Sequence, residues 1–147
     1  MSTRCQSRSL ALHACLLAGL AACASHPAGQ PTTYEQLGGS PGIEGIVDDL
    51  LETIVEDERI NRQFADADIL RLRTKLIEQL CAESGGPCVY SGLSMGEAHA
   101  GRGITTAHFN ALVEDLILVM TARKVPIRAQ NRLLKRLAPM HREIIVR

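Results

Sequence analysis

Apolar residues recur at spacings of three and four from Ile43 to Val55: Ile43, Ile46, Val47, Leu50, Leu51, Ile54 and Val55. That period places them along one face of an amphipathic helix. It returns at Ile69, Leu72, Leu76, Ile77 and Leu80, then at Phe109, Leu112, Val113, Leu116, Ile117 and Met120. It returns once more at Leu133, Leu134, Leu137, Met140, Ile144 and Ile145. No stretch alternates with period two, the mark of a half-buried strand. The expected fold class is therefore all-α. Two Phe, two Tyr and no Trp in 147 residues leave Leu, Ile, Val and Ala to fill the core, which suits helix packing.

Local signals divide this pattern. Thr33 to Leu37 supports one helical turn before Gly38-Gly39. Ser40 reads as an N-cap, with Pro41 at the first helical position. A third helix starts near Asp66 or Asp68 and ends at Gly85-Gly86-Pro87. Ser94 and Glu97 have capping-box spacing around a short helix that carries His99, closed by Gly101 or Gly103. Thr105 or Thr106 caps the next helix, and Val125-Pro126 restarts the chain. Pro139 should kink the last helix, because it lacks an amide hydrogen and crowds the preceding turn.

The N-terminus follows different rules. Arg4 and Arg8 precede an apolar run from Leu10 to Ala22. A bilayer span needs about 20 residues, so this run has the proportions of a secretory signal peptide. It ends Leu20-Ala21-Ala22-Cys23, which looks like a lipobox whose Cys23 thiol accepts a diacylglyceryl group. An ordinary signal peptide with an incidental cysteine is the alternative. The expected organisation is a signal peptide at 1–22, a lipidated cysteine and flexible tether at 23–32, and one domain at 33–147. The product is exported and lipid-anchored to a bacterial membrane, facing the periplasm or the exterior. Without Arg4 and Arg8 the chain carries 14 basic and 16 acidic residues, a net of −2. No basic stripe is visible, and a nucleic-acid partner is not expected.

Cys81 lies at the end of the third helix and Cys88 follows the Gly85-Gly86-Pro87 turn, which can bring the two together. An oxidising compartment favours a disulfide over two half-buried thiols. Five histidines occur, of which His99, His108 and His141 fall in the domain. No pair has zinc spacing, and neither a glycine-rich phosphate loop nor a nucleophile elbow is present. Residue chemistry alone stops at an exported helical domain.

A resemblance carries the reading further. Tyr34-Glu35-Gln36-Leu37-Gly38-Gly39, Ile43-Glu44 and Phe64 look like the start of a truncated haemoglobin. Gly85-Gly86-Pro87 and Tyr90-Ser91-Gly92 are similar to that family's loop. Met95 to Thr105, with His108-Phe109, resembles its iron-ligand segment, and Pro126 and Ala138-Pro139 also fit. The resemblance is closest to group I and covers nearly all of Thr33 to Arg147. It implies a two-over-two helical sandwich around one b-type haem. His99 matches the proximal ligand to the iron, its other ring nitrogen donating to a carbonyl or water. Phe64 matches an aromatic residue that lies on the haem. Leu72 and Lys75 match distal positions, where a basic residue pairs with a propionate; ligation of the iron by a neutral Lys75 amine is the sharper alternative. His108 is expected to be structural.

Departures from the family pattern are equally informative. Leu50-Leu51 stands where a Phe-Tyr pair is common, Leu76 where a glutamine is common, and Gln79 where an aromatic residue often sits. A greasy distal side formed by Leu51, Leu72 and Leu76 offers a gas ligand no donor, a hydrogen bond worth about 1.5–3 kcal/mol. The expected function is reversible binding of oxygen, nitric oxide or another diatomic gas by a membrane-tethered haem protein. An enzyme that removes nitric oxide or acts as a peroxidase is a second reading. It needs an unknown electron donor, since the chain has no flavin or nicotinamide module. A haem-free interaction lipoprotein is a third.

Overall fold

The computed structural model describes residues 30–145. The expected signal peptide, Cys23 and most of the tether lie outside them. Among the described residues seven α-helices follow in order: α1 Thr33–Gln36, α2 Gly39–Glu56, α3 Ile69–Glu83, α4 Met95–His99, α5 Thr106–Ala122, α6 Ile127–Leu137 and α7 His141–Ile145. Three-residue-per-turn segments at Asn61–Phe64 and Ala138–Met140 link α2 to α3 and α6 to α7. No strand occurs among the described residues. Helix α2 packs on α3 and α5, and α6 packs on the same two helices. Their shared core includes the fully buried Ile43, Ile46, Val47, Ile60, Met120 and Leu133.

Several boundaries differ from the sequence expectation. Helix α2 starts at Gly39 with Gly38, not Ser40, as its N-cap. Gly38 and Gly39 both take positive φ (92° and 64°), so the chain turns from α1 directly into α2. Ser40 then falls inside the first turn and hydrogen-bonds Glu44 Oε1 at 3.1 Å. Asp68 and Thr105, rather than Asp66 and Thr106, cap α3 and α5. Pro139 does more than kink one helix. It separates α6 from α7 through the tighter turn at 138–140, where its missing N–H is tolerated. On α5 the buried face is Ala111, Asp115, Leu116, Val119 and Met120, with Val113 and Ile117 only half-buried. The run Leu116 to Met120 is apolar throughout, so spacing alone does not choose the inward residues. Val55, expected inward, is 71% exposed.

Two polar devices brace the sandwich. Arg59, in the corner after α2, is bound by Asp57 and Glu114, with its Nη2 3.6 Å from the buried Asp115. Burial pushes the Asp115 carboxyl above the ordinary value. On the far side of α2, Arg123 donates two hydrogen bonds to Asp49, at 2.6 and 2.7 Å.

Cys81 and Cys88 are joined by a disulfide, with Cα atoms 5.7 Å apart. Gly86 lets the turn close: a Cβ there would stand 2.5 Å from Tyr34 Cδ2 and 2.7 Å from Cys81 Sγ. On the chain-entropy account, closing so short a loop is worth about 2–3 kcal/mol. Replacing both cysteines with serine should lower stability by about that amount in thermal melts. Non-reducing peptide mapping should recover the linked pair from protein taken from an oxidising compartment.

Candidate functional site

Helix α4 is one short turn built to present His99. Ser94 and Glu97 form a reciprocal capping box, with the Ser94 N–H 3.0 Å from Glu97 Oε2 and the Glu97 N–H 3.3 Å from Ser94 Oγ. His99, the last residue of α4, has its Nδ1 2.8 Å from the Met95 carbonyl oxygen one turn back. A carbonyl only accepts, so Nδ1 carries the proton and donates. Nε2 is then left with a lone pair. The two other histidines among the described residues are committed elsewhere. The His108 Nδ1 accepts the Thr105 N–H at 3.3 Å within the α5 cap. His141 stands edge-on to Phe109, ring centroids 4.8 Å apart.

Helix α3 carries an apolar stripe that the protein covers only in part. Of its fifteen residues only Leu80 and Cys81 are fully buried, whereas Leu72, Leu76 and Ile77 are half-buried. Leu51, Phe64, Leu76 and Leu112 pack on the edge of the core without entering it. Gln79, one turn beyond Leu76, donates to the sulfurs of Met95 and Met140, at 3.4 and 3.3 Å. These three side chains line a cavity of about 200 Å³ with Glu83, Tyr90 and Glu143. Met140 enters from 61 residues away in sequence, so only the inward spacing of the last helix hinted at it.

Lys75 is engaged within the protein. Its Nζ donates to both Glu78 carboxylate oxygens at 2.9 Å and to Ser91 Oγ at 2.6 Å. Glu78 also accepts the Ser91 N–H at 3.0 Å, which pins the 89–91 loop to α3. Lys75, then the Ser91 N–H, hold the Glu78 carboxyl down to about 2 from an ordinary 4.5. Because the folded value is the lower one, this pinning is complete above the ordinary value and is lost as pH falls from about 4.5 towards about 2. Amide exchange at Ser91, taken relative to its pH-dependent intrinsic rate, should accelerate through that window in wild type. In Glu78→Gln it should be fast already at neutral pH.

His99 thus offers an imidazole with one free lone pair, the donor chemistry that a haem requires, and the half-buried side chains of α3 offer apolar surface. The sequence profile of the bacterial-like globin family matches residues 32–146. A group 1 truncated hemoglobin of Mycolicibacterium paratuberculosis is 33% identical over 111 residues, covering 76% of this chain and 82% of its own. The chain belongs to the truncated haemoglobins. Members of this globin family bind haem with iron. A second relative with the same description, from Synechocystis, is 35% identical over 99 residues, 65% of this chain and 80% of its own. Among solved structures, the truncated haemoglobin of Tetrahymena pyriformis in its Fe(III) form superposes with a TM-score of 0.75 at 27% identity, over 78% of this chain and 98% of its own. The 2/2 haemoglobin of Synechococcus, solved in the cyanomet state with covalently attached haem, gives a TM-score of 0.74 over 80% of this chain and all of its own. At 24% identity that likeness speaks for the fold alone. The two-over-two sandwich is the fold of this family, and the expected fold class and family stand.

Proposed function

We propose that this truncated haemoglobin holds one b-type haem through His99 Nε2 and takes a diatomic gas on the opposite side. The observation that carries the reading is the His99 Nδ1–Met95 contact, which fixes the tautomer that leaves Nε2 available. Haem supplies the iron at which the gas binds. Phe64, Leu72 and Leu76, with Leu51 from α2, would supply apolar cover, and each is only half-buried in the fold. None of these four side chains has a donor, so a polar gas ligand gains no hydrogen bond from them. Lys75, tied to Glu78 and Ser91, reaches a propionate or the iron only by exchanging those partners.

The test is an absorbance spectrum of the purified full chain. A Soret band that shifts on reduction and on addition of carbon monoxide supports the reading, and protein that takes up no haem from a stoichiometric supply defeats it. Oxygen should leave quickly. Leu51→Tyr should slow dissociation about tenfold if the new hydrogen bond contributes about 1.4 kcal/mol. An unchanged off-rate measured by stopped flow would show that Leu51 does not border the gas.

The proposal includes export and anchoring through an acylated Cys23, which rests on the leader and the Leu20-Ala21-Ala22-Cys23 motif. Among the described residues no helix is long and apolar enough to cross a membrane. Attachment by this route therefore depends on Cys23.

A further inference from the structure

The neutral charge of the whole chain conceals a strong separation. Residues 123–142 contain seven basic side chains (Arg123, Lys124, Arg128, Arg132, Lys135, Arg136, Arg142) and no Asp or Glu. Residues 33–122 carry six basic and fifteen acidic ones, a net of −9. The expectation that no basic stripe exists is corrected here. On helix α6, Arg128, Arg132 and Lys135 are spaced four and three apart, so they share one face. That face is opposite the buried Ala129, Gln130 and Leu133, and all three basic side chains are exposed. Arg136 is bound to Glu83 and Arg123 to Asp49. Among the described residues Arg128, Arg132 and Lys135 have no carboxylate partner. Ile127, 63% exposed, sits at the start of the same helix.

The position of this stripe gives it a partner. Arg132, in its middle, donates from Nε to Thr33 Oγ1 at 2.9 Å, and Thr33 is the first residue of α1. The chain from Cys23 thus joins the domain at the edge of the basic face. Nine residues, 24–32, separate Cys23 from Thr33, a reach of roughly 30 Å when fully extended. A cysteine acylated at position 23 sits at the level of the lipid headgroups. Its tether is too short to let the domain wander far from them. The acidic remainder of the domain is repelled by the same surface that attracts α6.

We propose that the outer face of α6 docks on anionic phospholipid headgroups of the membrane that carries the anchor, holding the domain in one orientation. This rests on the acylation of Cys23 for its geometry, but the headgroup contact is separable from the anchor. The experiment uses residues 23–147, the exported form on this reading, as Cys23→Ser, and the same protein with Arg128→Gln, Arg132→Gln and Lys135→Gln added. Both are sedimented with vesicles of phosphatidylcholine alone or with phosphatidylglycerol. At low salt Cys23→Ser should partition onto the anionic vesicles and hardly onto the neutral ones, and high salt should release it. At about 1 kcal/mol per basic side chain near such a surface, removing three should weaken partition roughly a hundredfold. Circular dichroism of the triple variant confirms that α6 is still folded, and the salt series on Cys23→Ser alone needs no substitution in α6. Equal partition onto both vesicle types, or an unchanged triple variant, overturns the docking. Preference for duplex DNA over anionic vesicles at the same ionic strength assigns the stripe to nucleic acid and also overturns it. The anchor is judged apart, by the mass of the mature N-terminus and by globomycin sensitivity of the unmutated chain. An unacylated Cys23 sinks that reading whatever the vesicles show.

Discussion

His99→Gly is expected to abolish the Soret band, and millimolar imidazole is expected to restore it. The ring has few duties in the fold, since it is half-buried at the end of a five-residue helix and its one described hydrogen bond returns to Met95 within that helix. Its removal leaves the Ser94–Glu97 capping box and the contacts of α4 with α7 intact. Helical content should therefore match wild type, and the loss should be confined to the ligand position. Free imidazole supplies the same nitrogen without the tether, so rescue separates a lost ligand from a lost fold. A Soret band of wild-type position and intensity in His99→Gly, without imidazole, would remove His99 from the site. His108→Gly in the same assay should keep the band, because that ring serves the α5 cap.

Leu133→Ala should produce the largest loss of stability, about 3 kcal/mol. Leu133 is completely buried on α6, the helix that meets α1, α3 and α5. Truncation removes the transfer energy of three heavy atoms and leaves a cavity that helices fixed on several sides close poorly, and such changes cost 2–5 kcal/mol. For a domain of this size the melting temperature should fall by roughly 10 °C or more. Leu70→Ala is the control. That leucine is 79% exposed, so its loss should stay within about 0.5 kcal/mol. A loss below about 1 kcal/mol for Leu133→Ala would mean that α6 is not seated as described.

Most of the helices and their order were readable because the apolar spacing of α2 and α6 is strict and because Ser94, Thr105 and Asp68 are strong caps, whereas the division of the last helix at Pro139 reads in the sequence only as a kink. The segment around His99 was readable by its likeness to a family, since a lone histidine carries no signal in its spacing. What stayed hidden depends on the third dimension. The inward face of α5 was ambiguous because five consecutive residues, 116–120, are all apolar. Ser40 resembles a cap until Gly38 and Gly39 are seen to turn the chain earlier. Lys75 matches a distal position by resemblance, and its tie to Glu78 and Ser91 stayed out of sight because the Ser91 contact spans sixteen residues. The basic face of α6 vanished in a whole-chain sum of zero, because charge was counted before it was placed on a helix.

The uneven burial of α3 sets where this protein opens first. Its C-terminal end is clamped by Leu80, Cys81 and the disulfide, whereas its first two turns carry exposed Ile69 and Leu70 and half-buried Leu72. Opening free energy follows buried contact, so amides from Arg73 to Leu76 should exchange through local fraying, well before those of Leu80 to Ser84, which wait for global unfolding. A molecule that covers Leu72 and Leu76 must suppress that fraying. Its affinity can then be read as protection gained in half of one helix, with no spectroscopic signal from the ligand itself.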